Sequence, residues 1–441
     1  MRQLWLAIYL PSLLIATGQQ AVVIMLPLFA AAIASGSAVA DVGSAAATLA
    51  ATLMALRGAG SLFANVPAGL LVSRWGDRKV MLGALGALAM AAVLLGASAL
   101  LVMGTPRTAT GVDDGLPSAS MAFAGIAATL FGAASGAWFL ARLAFVAEAA
   151  PPAYRGRALA GLGGVQRVGL LLGPVAGGLL VHTFGFGVAF ATAGCCIALA
   201  LLLVVPFTHA APQARNETAG PVDGTSTAPG MHSVLAVLRD YRTVFATAGV
   251  AVTALAVLRA SRQLLIPLWG TLLGLDARQV GVTFMVSSAI EIAMAWPAGW
   301  LVDRRGHKWA ALPCFALLCA SIALMPWATD WPSLIVIAVI AGIGNGFGSG
   351  IMMTFGAGYA PPARRGEFLG VWRMMGDAGQ VAGPALIGTI AAAVSLGAAT
   401  LGAAAIGVAG MGMMAFMVKV PTLDADAGAN TAGRGDPTRE A

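Results

Sequence analysis

Twelve apolar runs, each about as long as a bilayer crossing, dominate this 441-residue chain. A helix needs about 20 apolar residues to span the hydrocarbon core. The runs fall at 6–33, 45–72, 80–103, 120–147, 158–181, 187–207, 243–270, 280–302, 309–327, 332–357, 367–392 and 397–419. Lipid offers bare backbone no hydrogen-bond partner, so each run must be helical, since an open strand edge would be left unsatisfied. Composition excludes the soluble classes: 59% of residues are hydrophobic and 10% charged, against about 45–50% and about 25% in ordinary globular domains. A cytosolic enzyme, a disordered chain and a nucleic-acid binder are ruled out as readings. The 57 glycines fit membrane helices, where small residues allow close approach. The 25 Lys and Arg, against 18 Asp and Glu, must first be placed relative to a membrane.

The first run follows Arg2 and continues to about Ala34, well past the roughly 7–15 residues of a signal-peptide core, so it reads as a mature span. Cys195, Cys196, Cys314 and Cys319 lack the spacing of a disulfide framework or a zinc site and read as buried thiols. A polar stretch divides the runs into two sets of six. The expected organisation is an N-terminal six-helix lobe at 1–208, a cytoplasmic central loop at 209–242, a C-terminal six-helix lobe at 243–421 and a disordered tail at 422–441. With the N-terminus inside, 17 of the 25 Lys and Arg fall in inside loops, flanks and tail, against Arg107 and Arg278 outside. The positive-inside rule then places both termini in the cytoplasm of a multi-pass cell-membrane protein.

The two halves repeat one another. Pro67-Ala68-Gly69-Leu70-Leu71-Val72-Ser73-Arg74-Trp75-Gly76 returns 230 residues later as Pro297-Ala298-Gly299-Trp300-Leu301-Val302-Asp303-Arg304-Arg305-Gly306, with seven of ten positions identical. At an offset of 210, Gly132, Gly136, Gly169, Gly173 and Pro174 match Gly342, Gly346, Gly379, Gly383 and Pro384. Helical repeat arrays recur about every 20–50 residues. One repetition of a six-helix block is instead the pattern of a two-lobed transporter.

At these residues the chain resembles the major facilitator superfamily, over essentially residues 1–420. The segment Gly69…Arg74-x-Gly76-x-Arg78-Lys79 matches that family's signature loop, and Gly299…Asp303-Arg304-x-Gly306-x-Lys308 repeats it. Gly169-Leu170-Leu171-Leu172-Gly173-Pro174-Val175-Ala176-Gly177-Gly178 matches a motif of its drug/proton antiporter branch. The resemblance implies an all-α membrane fold of twelve transmembrane helices in two pseudo-symmetric six-helix lobes, with spans 1, 4, 7 and 10 lining a central cavity. It makes Gly69, Arg74, Gly76, Arg78, Gly299, Asp303, Arg304, Gly306 and Lys308 gating-loop residues. Gly169, Gly173, Pro174, Gly178, Gly383 and Pro384 become a hinge or seal. Arginines at such turns can bond helix carbonyl ends or acids of the facing lobe in one state only. Ser73 stands where the family signature has an acid, so a latch there leans on Asp77, Asp303 or Glu148, or is weaker.

The sharpest clue is charge within the spans: Arg57, Arg142, Arg167, Arg259, Arg262 and Arg373 against Glu291 and Asp377. Each costs several kcal/mol unless paired or hydrated, so each should face a partner or a cavity. Arg373 and Asp377 stand four apart on one helix face. Glu291 has two candidate partners, Arg262 within its half and Arg167 across the interface. Arg142 either snorkels to the inside surface or meets Glu148. These pairings leave Arg57 and one of Arg259 and Arg262 free for an anion, since guanidinium binds carboxylate and phosphate bidentately. A salt-bridge network joining the lobes is the competing arrangement. With Gln19, Gln20, Trp138 and Asn345, the arginines Arg57, Arg259 and Arg262 form the expected substrate site. Glu291, and secondarily Asp377, are the acids available for proton coupling.

The expected function is proton-coupled export of a small anionic or amphiphilic solute. The alternatives are a facilitator or symporter importing a carboxylate metabolite, and a non-transporting membrane receptor. The expected partners are membrane lipids and the solute, without nucleic acid or cofactor, with the proton motive force as driver and a monomer as the working unit. The sequence carries no Walker loop, nucleophile elbow or metal-spaced His/Cys cluster, so an enzyme is not expected.

Overall fold

The computed structural model describes residues 9–34, 42–104, 116–149, 155–208, 231–348, 350–361 and 364–418. Every regular element among them is a helix. The first four runs form α1 (Leu10–Ala34), α2 (Val42–Trp75), α3 (Asp77–Gly104) and α4 (Leu116–Ala149). The stretch Arg155–Thr208 is helical throughout except at Gly185, with φ 79 and ψ 172. That conformation costs glycine nothing because it lacks a Cβ, and it divides the stretch into α5 (155–184) and α6 (186–208) in the gap the hydropathy pattern leaves.

The second half contains α7 (Met231–Asp240), then the turns Arg242–Val244 and Phe245–Gly249 leading directly into α8 (Val250–Leu272). It continues with α9 (Ala277–Arg305), α10 (His307–Leu324), α11 (Trp331–Phe347), α12 (Ile351–Tyr359), α13 (Arg365–Ala393) and α14 (Leu396–Phe416). Ten described helical segments are long and apolar enough to cross a membrane. One of them, Gly161–Pro206, is the double-length segment kinked at Gly185. The 29-residue α13, which carries Arg365, Glu367, Arg373 and Asp377, completes the twelve expected spans.

Two elements differ from expectation. The tenth run, read as continuous over 332–357, breaks between α11 and α12, where Gly350 adopts φ 81. The central segment 209–242 is not all irregular, because its end folds into α7. Val237 of α7 is buried, while Leu235 and Leu238 are exposed. Asp240 at its end pairs with Arg364 at 3.0 Å. Residues 209–230 and the tail 422–441 lie outside the described residues.

Helix starts follow local rules. Asp276 caps α9 in a reciprocal box with Gln279, and Asp330 caps α11 in the same way with Ser333. The Ser333 hydrogen bonds hold the Asp330 carboxyl below the ordinary carboxylate range.

The sequence repeat becomes a packing repeat. Gly132 of α4 lies against the Arg57 backbone, as Gly342 of α11 lies against Ser287; Gly136 meets Ser61 as Gly346 meets Glu291. Gly169 sits on Ala16 as Gly379 sits on Ala256. A Cβ at Gly132, Gly169 or Gly342 would strike the neighbouring helix, so only glycine permits these approaches. The Gly76 and Gly306 turns share their geometry, with φ 84 and 86. Their amides bond back to Val72 and Val302 at 2.9 and 2.8 Å.

The lobes meet chiefly along two seams, α2 with α13 and α5 with α9. On the first, Gly388 lies against Ala51, and Gly58 against Val381 and the Gln380 carbonyl. On the second, Gly178 lies against the Ala277 carbonyl and Gly281 against that of Pro174. His182 Nδ1 and Asp276 Oδ2 add an exposed pair at 3.7 Å. The tight contacts cluster away from the arginine-rich turns at Gly76 and Gly306. Toward those turns, Gly163, Gly164, Gly299, Gly366 and Gly370 have open space where a Cβ would stand. The molecule is thus closed at the far end and loose at the arginine-rich end.

Candidate functional site

The deep arginines take different partners. Arg262 of α8 is 3% exposed; its Nη2 is 3.3 Å from Glu291 Oε2 and its Nη1 donates to Ser287 Oγ at 3.2 Å. Its carboxylate lies in its own lobe. Arg373 Nε stands 3.6 Å from Asp377 Oδ2, and its guanidinium lies 4.8 Å from the ring centre of Phe139, on α4 of the other lobe. Asn65 of α2 donates its Nδ2 to the same Asp377 oxygen.

Arg142 does not snorkel to the surface. It is 5% exposed, donates to Gln166 Oε1 at 3.3 Å, and lies 5.6 Å from the Trp138 ring centre. The Glu148 side chain lies outside the described residues. Arg167 is exposed on α5 and has interactions of its own.

Arg259, an expected solute ligand, has a partner within the protein. Its Nη2 donates to the Gly348 carbonyl at 2.7 Å, where α11 ends. A broken helix in lipid leaves carbonyls without amide partners, and a cation at that end is favoured by the helix dipole. Arg259 therefore caps the interruption of the tenth span from within its own lobe. Arg57 of α2 is different. Its Nε is buried without a partner, and among the described residues it makes no hydrogen bond or ion pair.

The neutral candidates divide similarly. Gln19 Nε2 donates to Ser135 Oγ at 3.2 Å, tying α1 to α4. Gln20 faces Gly173 of α5. Trp138, only 3% exposed, packs beside Arg142. Asn345 is 9% exposed, and its Oδ1 has no partner among the described residues. The structure thus joins Gln19 to α4, Arg262 to Glu291 and Arg373 to Asp377, but no hydrogen bond or ion pair among the described residues ties Arg57 to the rest. Asn65 and Gln166 are functional neighbours that the sequence reading missed. Their signal was present: each is an amide side chain inside an apolar run.

At the arginine-rich turns, Arg304 stacks 4.5 Å from the Trp300 ring centre and Lys308 donates to the Val418 carbonyl at 3.4 Å. Ser73 Oγ turns back to the Leu70 carbonyl at 2.9 Å, and Asp77 accepts the Arg78 amide at 2.8 Å. Asp303 is exposed. Among the described residues, Arg74, Arg78, Asp303 and Arg304 make no hydrogen bond or ion pair to the opposite lobe, as befits an end that is not latched.

The family profile described as Major Facilitator Superfamily matches residues 8–258 and again 251–438. The chain belongs to this superfamily. The protein is therefore a membrane transporter with the two-lobed superfamily fold. A D-xylose–proton symporter structure is similar with a TM-score of 0.67 at 16% identity, covering 96% of this chain and 98% of that one. A nucleoside transporter is similar with a TM-score of 0.71 at 13% identity, covering 95% and 100%. A POT family transporter in complex with a thioalcohol-conjugated peptide gives 0.67 at 13%, covering 94% and 95%. At these identities the likeness is one of fold. No curated protein matches the sequence.

Proposed function

We propose that this superfamily member exports a small anionic or amphiphilic organic solute across the cytoplasmic membrane in exchange for protons. In this reading both termini and the arginine-rich turns face the cytoplasm. Arg57 is the observation that carries it: a guanidinium within a membrane helix, with a buried Nε and no hydrogen bond or ion pair among the described residues. An arginine at a helix centre costs about 2.5–3.5 kcal/mol or more. A carboxylate or phosphate ligand neutralises that charge while bound and returns it to a hydrated cavity on release. A cationic drug would be repelled by the same group.

The direction of transport is supported by the resemblance of Gly169–Gly178 on the fifth span to the antiporter-branch motif. Gly169 and Gly173 seat α5 on α1, and Gly178 seats it on α9, at backbone distance. Of these contacts, Gly178 on Ala277 crosses between the lobes toward the far end. Glu291 and Asp377 are the acids through which a proton would act. An uncoupled facilitator has one observation in its favour: both acids already lie within 4 Å of arginines, at 3.3 and 3.6 Å.

Counterflow in proteoliposomes separates these readings, using a panel of labelled carboxylates and organophosphates with and without a pH gradient. Proton-coupled export predicts faster flux along the gradient, with Glu291→Gln retaining counterflow but losing part of the gradient response. Flux indifferent to the gradient overturns coupling. Anion flux undiminished in Arg57→Ala overturns anion recognition.

A further inference from the structure

We infer that Asn65, Asp377 and Arg373 form a proton-operated clasp between the lobes, with Asp377 as the deep acid whose contacts depend on lobe position. The clasp bears on the proton-coupled reading above, but its existence depends only on the rocking of the two lobes.

The two deep acids differ in whom they touch. The recorded partner of Glu291 is Arg262, which also binds Ser287, so this cluster lies wholly on α8 and α9 of one lobe. Rigid rocking leaves it intact. Asp377 on α13 instead accepts from Asn65 on α2, across the seam. Its second partner, Arg373, reaches Phe139 on α4 of that same opposite lobe.

Its position along the seam is equally informative. Contacts between α2 and α13 run from Ala51 with Gly388, through Gly58 with Val381, to Asn65 with Asp377. Beyond this point toward the arginine-rich end, Met374 on the same side of α13 is exposed and Gly370 touches nothing. The clasp closes the seam where the helices begin to part.

The chemistry sets the sign. An ionised Asp377 accepts strongly from the Asn65 amide and attracts Arg373. A proton on the carboxylate cancels the ion pair and makes Asp377 a weaker acceptor for the Asn65 amide. Protonation therefore loosens the contact between lobes, and by linkage a change in lobe position that removes Asn65 favours the protonated acid.

The other charged groups near α13 are already engaged or distant along their helices. α2 adds Arg57 and Arg74, and α4 adds Arg142, bound to Gln166, and Glu148. α8 adds Arg259 and Arg262, bound to Gly348 and Glu291. α7 carries His232, Arg239 and Asp240, α12 carries Tyr359, and α14 carries no charge. At its own start α13 has Arg365 and Glu367, next to Arg364, which pairs with Asp240. Among the described residues, His182 with Asp276 is a further titratable pair across the lobes, at the far end, and must be controlled for.

Spin labels at Leu70 and Gly370 read the opening directly, in protein where the accessible Cys195 and Cys196 are replaced by alanine. The expected result is a distance distribution that shifts between mildly acidic and mildly alkaline pH. Asp377→Asn should hold the acid-side distribution at both. Asn65→Ala should move the population ratio about tenfold the same way, the size expected for losing one hydrogen bond to a charged group. His182→Gln should keep the response. If Asp377→Asn folds poorly, Asn65→Ala carries the test from the other lobe. A wild-type response in Asp377→Asn or an unmoved ratio in Asn65→Ala overturns the clasp, as does loss of the response in His182→Gln. Flux that ignores a pH gradient while the clasp still responds defeats only the proton-coupled export reading.

Discussion

Arg57 and Arg262 carry the same charge inside the same membrane, yet Arg262 is anchored while Arg57 makes no hydrogen bond or ion pair among the described residues. Spacing along a single helix made the Arg373–Asp377 pair legible, because residues four apart share a face. Arg262 was legible as one of two partners for Glu291. The partners of Arg142 and Arg259 were not legible, because Gln166 and the Gly348 carbonyl lie on other helices and carry no charge to mark them. Two predictions belong at this scale. Arg57→Lys keeps the charge but loses the planar fork, so anion binding measured by thermal shift should weaken about tenfold, and Arg57→Ala more. Arg262→Ala strands the partly buried Glu291 and should cost about 3–5 kcal/mol of stability, with the additional Glu291→Ala change recovering part of it. Melting temperatures of the single and double variants in detergent check this; equal losses in both would refute it.

Among the elements, the tenth span is where the sequence pattern misled. Hydropathy does not change through Gly348 and Gly350, and in a chain with 57 glycines two more give no contrast. The break is set by a side chain from another helix, with Arg259 capping the carbonyl end of α11 and Gly350 turning at φ 81. The break between the fifth and sixth runs was visible because it coincides with the gap that contains Gly185. Removing the cap through Arg259→Ala should cost about 1.5–3 kcal/mol, the net value of a hydrogen bond from a charged group. Gly350→Ala should cost roughly 1–2 kcal/mol for a left-handed residue with a Cβ. Hydrogen exchange at α12 reads both, and unchanged protection there would contradict the capping role.

For the whole molecule, the repeat made two related lobes legible, and the structure reproduces it contact by contact, from Gly132 on Arg57 to Gly342 on Ser287. The state of the transporter was not legible, because repeats constrain each lobe and leave their mutual tilt free. That tilt is visible only in contacts between lobes, such as Gly178 on Ala277 at the far end. A side chain there has no room, so Gly178→Val should prop the far end open and leave the arginine-rich end more closed. The most direct test pairs two distances in one reconstituted sample, one between α5 and α9 at the far end and one between α2 and α13 at the arginine-rich end. On cycling pH with an organic anion present, the account predicts that one distance lengthens as the other shortens. Two distances that stay fixed, or that rise and fall together, would contradict it.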